Sequence, residues 1–333
     1  MTDEPRTTHA NGAIRLTEHP VNGITLRVAE QGSGPLVLLC HGWPESWYSW
    51  RSQIEALAAA GWRVAAPDMR GYGGSSAPQA VDQYTLLHLI GDLVGLVRAL
   101  GERQAVIVGH DWGSVVAWHA ALLRPDMFRA VAGLSVPYAP PSHTDLLSAL
   151  HKLGITTFYM QYFQQEGVAE AELEADVRSA LHKIYYGGSG DAPGGTAFGI
   201  LAPGAGVLAR RDPPAQLPPW LSEADLDYYT AEFGRAGFRG GLNWYRNLRR
   251  SFELLGPWRD QPIGQPSLFI AGERDAVLQF PGSKKQIESF HKTLPGLVGS
   301  HILEGAGHWI QRERAARVNE LLLEFLRGLP AQS

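Results

Sequence analysis

Asp111 is the residue whose type and setting say most about chemistry, because it lies in Gly-His-Asp-Trp-Gly (109–113). An apolar run, 105–108, precedes this motif, and a helical pattern with an apolar face, 114–123, follows it. A strand, a tight turn and a helix in this order are typical of an exposed nucleophile. A carboxylate is already ionised at neutral pH, so Asp111 is predicted to attack a saturated carbon and form an alkyl ester. On this motif alone, an Asp that only caps the following helix stays an alternative.

Such an ester must then be hydrolysed, which takes a general base and an acid that orients it. His308, in Gly-Ala-Gly-His-Trp, directly follows the last apolar run, and Asp275 directly follows the run before it. The chain order is therefore nucleophile, acid, base. Glu273 and Asp68 are alternatives for the orienting acid. Position 135 follows another candidate strand, but its residue is Ser135, which supplies no acid.

Backbone amides are needed to stabilise the oxyanion that forms when water attacks the ester. The candidates are the amide of Trp112, just after the nucleophile, and that of Trp43 in His-Gly-Trp-Pro (41–44). The second motif, taken alone, is equally compatible with an ordinary turn. Trp43, Trp112 and Trp309 all neighbour the proposed catalytic positions, so we expect an aromatic-walled, apolar substrate pocket. The Gly-rich segment 68–76 matches no phosphate-binding pattern and is interpreted as structural.

The elements that must position these residues are short apolar runs alternating with amphipathic helical segments. The runs lie at 36–40, 63–67, 105–108, 267–271 and 300–303, and the helical segments between them at 46–60, 83–100 and 112–124. Continuously apolar strands indicate a parallel sheet that helices cover on both faces. In an open α/β sheet, functional residues lie at the carboxyl ends of the strands.

The sheet pattern lapses in the middle of the chain. Helical segments are predicted there at 144–163, 169–185, 222–235 and 241–254, around a loose Gly/Pro-rich stretch at 187–219. The strand pattern then resumes, and a terminal helix is predicted at 311–327. We therefore predict a core domain formed by 1–138 and 256–333, interrupted by a helical cap domain at 139–255.

Composition limits the classes of function. The 333 residues are 44% hydrophobic, enough for a sizeable core, and the net charge of −4 without long single-sign runs argues against a nucleic-acid partner. The single cysteine, Cys40, cannot form an intrachain disulfide, and no Cys/His cluster suggests a metal. The polar start has no secretory signal, and no apolar run reaches the ~20 residues of a membrane span. We expect a cytoplasmic protein, for which a homodimer is one option.

The whole chain resembles the α/β-hydrolase fold family and, within it, the soluble epoxide hydrolases of the bacterial type. The matching segments occur in the family order. They are HGWPESWYSWR (41–51), DMRGYGGSS (68–76), GHDWGS (109–114), YFQQEGVAEAELE (162–174), GFRGGLNWYRN (237–247), GERDAVL (272–278) and GAGHWIQ (305–311). The resemblance implies a mostly parallel sheet flanked by helices, with an inserted helical cap. It also implies an enzyme that converts small-molecule epoxides to vicinal diols without a metal or organic cofactor.

The resemblance further implies that Tyr162, at the start of YFQ, and Tyr245, in NWYRN, are the two cap tyrosines that hold the epoxide oxygen. Ring opening generates an alkoxide, which leaves poorly unless a proton donor meets it, and a phenol remains protonated at neutral pH. Without the motif, the residues do not choose among eleven tyrosines. The family also suggests a cis Trp43–Pro44 bond that aims the Trp43 amide inward.

The chain departs from the family pattern at three places. Phe163-Gln-Gln-Glu-Gly167 lacks the proline of the common FQEPG, which leaves the following turn open, and Ser114 replaces the common Gly or Ala. The stretch at 187–219 is longer than in a minimal cap and is expected to edge the substrate entrance.

Three other functions remain as alternatives. A haloalkane dehalogenase shares the Asp nucleophile, but a halide leaves without a proton and has no use for paired phenols. A non-catalytic binding member of the fold would retain the pocket and lack a reactive residue, and none is missing here. An esterase is disfavoured because Asp111 occupies the position of the serine nucleophile.

Overall fold

The computed structural model describes residues 12–192, 199–209, 213–214 and 216–330. The start of the chain, on which the absence of a secretory signal was predicted, lies at 1–11 outside the described residues, as does part of the stretch 187–219. Within the described ranges, no helix has both the length and the apolar character that crossing a bilayer requires.

The described residues form one sheet of eight strands. In chain order these are β1 Arg15–Val21, β2 Ile24–Gln31, β3 Leu36–Cys40, β4 Arg63–Pro67, β5 Ala105–His110, β6 Phe128–Leu134, β7 Ser267–Gly272 and β8 Leu297–Leu303. Their spatial order is β1-β2-β4-β3-β5-β6-β7-β8. β2 is antiparallel to β1 and β4, and all other neighbours are parallel. The predicted α/β class and mostly parallel sheet are confirmed.

The apolar runs predicted the central strands well. β3 and β4 have the predicted bounds, while β5 continues through His110 and β8 begins three residues earlier than predicted, at Leu297. No strand was predicted before residue 36. The dipeptide Asn22-Gly23 is a sequence signal for a tight hairpin turn. It joins β1 to β2 with positive φ values of 46° and 78°.

Helices cover both faces of the sheet and form the segment between β6 and β7. In chain order they are α1 Arg51–Ala59, α2 Leu86–Ala99, α3 Trp112–Leu123, α4 Leu146–Lys152, α5 Tyr159–Tyr162, α6 Val168–Glu174, α7 Val177–Gly188, α8 Glu223–Ala236, α9 Arg239–Arg246, α10 Leu248–Leu254, α11 Ser283–Glu288, α12 Phe290–Thr293, α13 Ile310–Glu313 and α14 Ala315–Arg327. Short 3₁₀ turns occur at Trp47–Trp50, Val81–Tyr84, Gly256–Trp258 and Ala276–Gln279.

Side-chain alternation in β3 shows how the sheet divides the core. Val37 and Leu39 pack with α1 and α14 on one face, whereas Leu36 and Leu38 pack with α2 and α3 on the other. All four side chains are fully buried. Each contributes about 1.5–3 kcal/mol of burial free energy, so the sheet is a rigid base for residues at its carboxyl edge.

The segment between β6 and β7 is the inserted cap, and within the described residues it contains α4 to α10. The helix predicted at 144–163 is wrong, because the chain breaks between α4 and α5. Gly154 ends α4 with a φ of 75°, and a β-branched run at 155–157 follows. The turn before α6 could not be predicted because the family's proline is missing. It is formed nevertheless, since Gly167 takes a φ of 81° and its amide donates to Glu170.

Candidate active site

The turn between β5 and α3 places Asp111 at the carboxyl edge of the sheet. Its φ of 53° and ψ of −121° are unusual for a residue with a side chain and cost about 1–3 kcal/mol. The flanking glycines permit this turn because there is no room for a side chain. A Cβ on Gly109 would lie 2.0 Å from the Gly113 carbonyl oxygen, and one on Gly113 would lie 2.0 Å from that of Cys40. The predicted strained turn is present.

The loop after β3 brings a backbone donor to Asp111. The Trp43–Pro44 peptide is cis, as the family resemblance suggested, and the Trp43 amide donates to Asp111 Oδ1 over 2.8 Å. Gly42 allows this approach, since a Cβ there would lie 2.4 Å from the same oxygen. Trp112 is the first residue of α3, where backbone amides have no helical acceptor. Asp111 Oδ1 therefore lies against the Trp43 amide, next to the start of α3.

His308 joins the two carboxylates. Its Nε2 lies 3.4 Å from Asp111 Oδ2, and its Nδ1 lies 3.1 Å from Asp275 Oδ1. Asp275 is fully buried, and its Oδ1 also accepts the amide of Val277 over 2.9 Å. One edge of the imidazole therefore faces the nucleophile while the other faces a fixed anion.

The two alternative acids lie elsewhere. Asp68 is fully buried against Arg27, whose Nε donates to Asp68 Oδ2 over 2.6 Å. Glu273 accepts the amide of Gly305 over 3.1 Å. In the described part of the chain, Asp275 is the carboxylate at His308 Nδ1.

Ser135, which the sequence analysis set aside for lacking an acid, completes this arrangement. It follows β6 with a φ of 72°, and its hydroxyl donates to Asp275 Oδ2 over 2.5 Å. The same Oγ lies 2.9 Å from His308 Nδ1. Since the hydroxyl proton is used on the carboxylate, Oγ accepts from Nδ1–H. Nδ1 then carries a proton, and Nε2 is the nitrogen that faces Asp111.

The main chain of His308 is held from three sides. Its amide donates to the carbonyl of Gly188, the last residue of α7, and its carbonyl accepts from His110 Nε2, each over 2.7 Å. Glu313 accepts the amide of Gly307 over 2.8 Å. His110 and Glu313 were missed because neither carries a motif of its own.

Charges in this cluster shift the pKa values of the central pair in opposite directions. Burial raises the pKa of Asp111, but the hydrogen bond and charge of His308, with the Trp43 amide, outweigh it and hold the pKa below its usual value. Burial lowers the pKa of His308, yet the charge of Asp275 and the contact with Asp111 raise it well above the usual value. These shifts favour an anionic Asp111 paired with an imidazolium at His308.

The cap supplies two phenols to this site, and one is not the tyrosine that was predicted. Tyr245, on α9, lines a narrow compartment with Asp111 and His308, as predicted. The prediction that Tyr162 does the same is wrong, because its hydroxyl donates to Glu172 over 2.8 Å. Tyr159, three residues earlier on α5, lines the compartment instead.

Packing explains which tyrosine enters the site. The Tyr159 ring contacts the rings of Phe163, Tyr245 and Phe280, at centroid distances of 5.5, 5.8 and 6.2 Å. Burial, followed by the charge of Asp111, raises the pKa of Tyr159 well above its usual value. Burial and then the neighbouring Tyr159 and Asp111 do the same for Tyr245. Both phenols therefore stay protonated near an anionic Asp111.

The cavity around Asp111 has two unequal parts, to which Asp111 and Tyr159 both contribute. The small compartment, about 30 Å³, is walled by Trp43 and Trp309. The large limb, about 310 Å³, extends past Trp112 along α3. All three predicted tryptophans thus line the cavity, and its walls are largely apolar.

Comparison with known proteins places this chain among characterised relatives. Residues 35–177 match the family model of the α/β hydrolase fold. Epoxide hydrolase A of Mycobacterium tuberculosis is 46% identical over 312 residues, covering 92% of this chain and 96% of the relative. An epoxide hydrolase of Caballeronia sordidicola is 43% identical over 327 residues, covering 98% and 97%.

A solved structure extends the likeness to three dimensions. The epoxide hydrolase from an endophytic Streptomyces superimposes with a TM-score of 0.91 at 50% identity, covering 95% of this chain and 96% of that one. Sequence, fold and the residues around Asp111 agree, and the chain belongs to the epoxide hydrolases of the α/β-hydrolase fold family.

Proposed function

We propose that this epoxide hydrolase opens its substrate by direct attack of Asp111 and then hydrolyses the resulting ester with His308. The observation that carries the proposal is the set of groups that line the small compartment. There, an ionised carboxylate and two protonated phenols border the same space. Nucleophile and proton donors are what epoxide opening requires from opposite sides of the ring.

In the first step, Asp111 Oδ2 forms a bond to one epoxide carbon while the bond from that carbon to the ring oxygen breaks. Oδ1 stays with the Trp43 amide, which orients the carboxylate. The ring oxygen takes a proton from Tyr159 or Tyr245 as it becomes a hydroxyl. The raised pKa values of both phenols keep that proton available at neutral pH.

In the second step, His308 Nε2 takes a proton from water, which attacks the ester carbonyl carbon. The negative charge that develops on Oδ1 is stabilised by the amides of Trp43 and Trp112. Formation of the ester removes the Asp111 charge, one of the groups that raise the pKa of His308. Alkylation therefore favours release of the imidazolium proton, which replaces the proton lost by the tyrosine, and so prepares the base for hydrolysis. When the intermediate collapses, the bond between the carbonyl carbon and the diol oxygen breaks, and that oxygen takes the proton that His308 removed from water. The carboxylic acid of Asp111 then gives its proton to His308, which restores the ion pair.

Ser135 has a positioning role in this proposal. Its bonds to Asp275 Oδ2 and His308 Nδ1 fix the imidazole ring and direct Nε2 toward the ester. The steps use side chains and backbone amides throughout and require no cofactor.

A single turnover in ¹⁸O-labelled water tests the covalent route. Because water attacks the ester carbonyl, the label is expected in the carboxylate of Asp111, detected by mass spectrometry of the peptide that contains it. The diol of that first turnover should be unlabelled. Label found in the diol alone would show direct attack of water on the epoxide and overturn the proposal. Asp111→Asn serves as the blank.

The second candidate function, haloalkane dehalogenation, is disfavoured by the same two phenols, since halide release needs no proton. Parallel assays of halide release from a haloalkane and diol formation from an epoxide separate the two. The proposal predicts diol formation with negligible halide release. A binding protein without catalysis would show neither product.

We also propose the domain limits, the location and the oligomeric state of the enzyme. The core domain comprises 1–138 and 256–333, the cap domain comprises 139–255, and the enzyme is a cytoplasmic homodimer. The break from strands to helices after β6 and the return to strands at β7 support the domain limits. General frequencies of assembly support the dimer. Cell fractionation and sedimentation at several concentrations test the last two points.

A further inference from the structure

The large limb of the cavity contains a polar side chain that the proposed mechanism does not use. α3 forms one wall of this limb, and Trp112, Val115 and His119 line it from that helix. His119 is 8% exposed. The rest of the lining is mostly apolar, including Leu248 and Phe252 of α10. His119 is therefore a mostly buried polar side chain in a largely apolar wall.

One nitrogen of His119 is committed to the helix. Nδ1 lies 2.8 Å from the carbonyl oxygen of Val115, which can only accept, so Nδ1 carries a proton. Burial lowers the pKa of His119 below its usual value, which favours the neutral ring. Nε2 then has a free lone pair, and no described residue donates a hydrogen bond to it.

Two of the hydroxyls that line the limb bond to the main chain. The hydroxyl of Ser142 donates to the carbonyl of Thr144 over 2.7 Å, and that of Ser251 accepts the amide of Leu86 over 3.0 Å. Thr144, Ser283 and Gln286 also line the limb, and His119 is the imidazole in a wall that is mostly apolar.

The distance from the reacting centre sets the length of a matching substrate. His119 lies eight residues beyond Asp111, and at 1.5 Å per residue this is about 12 Å along α3. An extended chain gains ~3.4 Å for every three bonds, so roughly ten bonds reach from the epoxide carbon to His119. A limb of about 310 Å³ has the volume for a chain of this length.

We propose that the large limb binds the apolar chain of an epoxide that ends in a neutral hydrogen-bond donor, such as a hydroxyl, received by His119 Nε2. This inference rests on the proposed function and adds a substrate class to it. A neutral acceptor distinguishes between substrates by the group at the end of the chain. It favours a hydroxyl over a methyl group, and it disfavours a carboxylate, whose oxygens are themselves acceptors.

The test uses three terminal epoxides with the same chain of roughly ten carbons, ending in a methyl, a hydroxyl or a carboxylate. With the wild-type enzyme, kcat/KM is expected to be highest for the hydroxyl compound. His119→Phe retains a planar ring without the acceptor and should lower the hydroxyl-to-methyl ratio of kcat/KM about tenfold. His119→Gln, which restores an acceptor, should recover most of that ratio.

Binding of the three product diols, followed by tryptophan fluorescence, gives a second measurement that needs no catalysis. The hydroxyl-ended diol should lose its advantage in Kd in His119→Phe. The inference would be overturned if His119→Phe left the hydroxyl-to-methyl ratio unchanged. It would also be overturned if the wild-type enzyme preferred the carboxylate compound and His119→Phe lost that preference. If no epoxide yields diol, the proposed function fails, while the diol affinities still decide the role of His119.

Discussion

The carboxyl edge of the sheet and the cap both supply the site, but they position their residues by different means. At the sheet edge, four neighbouring strands, β5 to β8, each precede one site residue, namely Asp111, Ser135, Asp275 and His308. The parallel arrangement of the strands then links these side chains through three contacts: Asp111 to His308 over 3.4 Å, His308 to Asp275 over 3.1 Å and Asp275 to Ser135 over 2.5 Å. In the cap, Tyr159 and Tyr245 enter from α5 and α9, whose orientation depends on packing between helices. The location of a residue that follows a strand can therefore be predicted from its position in the sequence. The location of a residue on a short helix cannot.

The largest expected effect is at the sheet edge. His308→Gln should lower steady-state diol formation by roughly 10³-fold or more, because no other described group at Asp111 can deprotonate water. Alkylation does not need the base, so the ester should accumulate as a mass adduct on the Asp111 peptide. Asp111→Asn/His308→Gln is the control and should carry no adduct. Full turnover by His308→Gln would contradict the assigned role.

The next effect separates the two cap tyrosines and so tests the comparison directly. Tyr159→Phe and Tyr245→Phe should each lower the rate of alkylation roughly 10²-fold through loss of a proton donor. Tyr162→Phe is the matched control on the same helix, and since its hydroxyl bonds Glu172, it should stay within about twofold of wild type. Rapid-quench kinetics measures all three. An equal loss in Tyr162→Phe would restore the prediction made from sequence.

Low pH should slow hydrolysis of the ester but not its formation. The lowered pKa of Asp111 keeps it ionised, so alkylation is expected to persist as the pH falls. Hydrolysis needs neutral His308, whose pKa Asp275 continues to raise in the ester, so its rate should fall about tenfold per pH unit below that pKa. The ester should therefore accumulate at low pH. Loss of both half-reactions at the same pH would contradict the opposed shifts.

The smallest effect concerns Ser135. Ser135→Ala removes the donor to Asp275 and the acceptor for His308, so we expect ester hydrolysis to slow about tenfold while alkylation changes little. Ser135→Gly also lacks the hydroxyl but relaxes the positive φ of 72°. Equal defects in both variants assign the effect to the hydroxyl. Recovery in the glycine variant would assign it to the backbone instead.

The sequence predicted the fold class and the three residues at the sheet edge because strands and their ends leave local signals. Apolar runs locate the strands, and polar residues just after them locate Asp111, Asp275 and His308. The error at Tyr162 has the opposite origin. The YFQ motif identified the segment correctly, but Tyr159 and Tyr162 share one helical turn, and the aromatic neighbours that select between them come from distant parts of the chain.

Ser135 was missed for a further physical reason. Only an acidic residue was expected to matter at the end of β6. A serine acts there only through its short contacts with Asp275 and His308. Those contacts depend on the positive φ of Ser135, which sequence does not reveal at a non-glycine residue. Likewise, His119 attracts notice only once the cavity beside it is known.

The main chain of His308 is anchored to the end of α7 in the cap. The carbonyl of Gly188, at the end of α7, accepts the amide of His308, and Glu313 accepts the amides of both Gly190 and Gly307. Arg274 adds a bond to the Gly190 carbonyl over 2.8 Å. These bonds couple the end of α7 to the loop that carries His308, so a displacement of α7 would also move the imidazole away from Asp111.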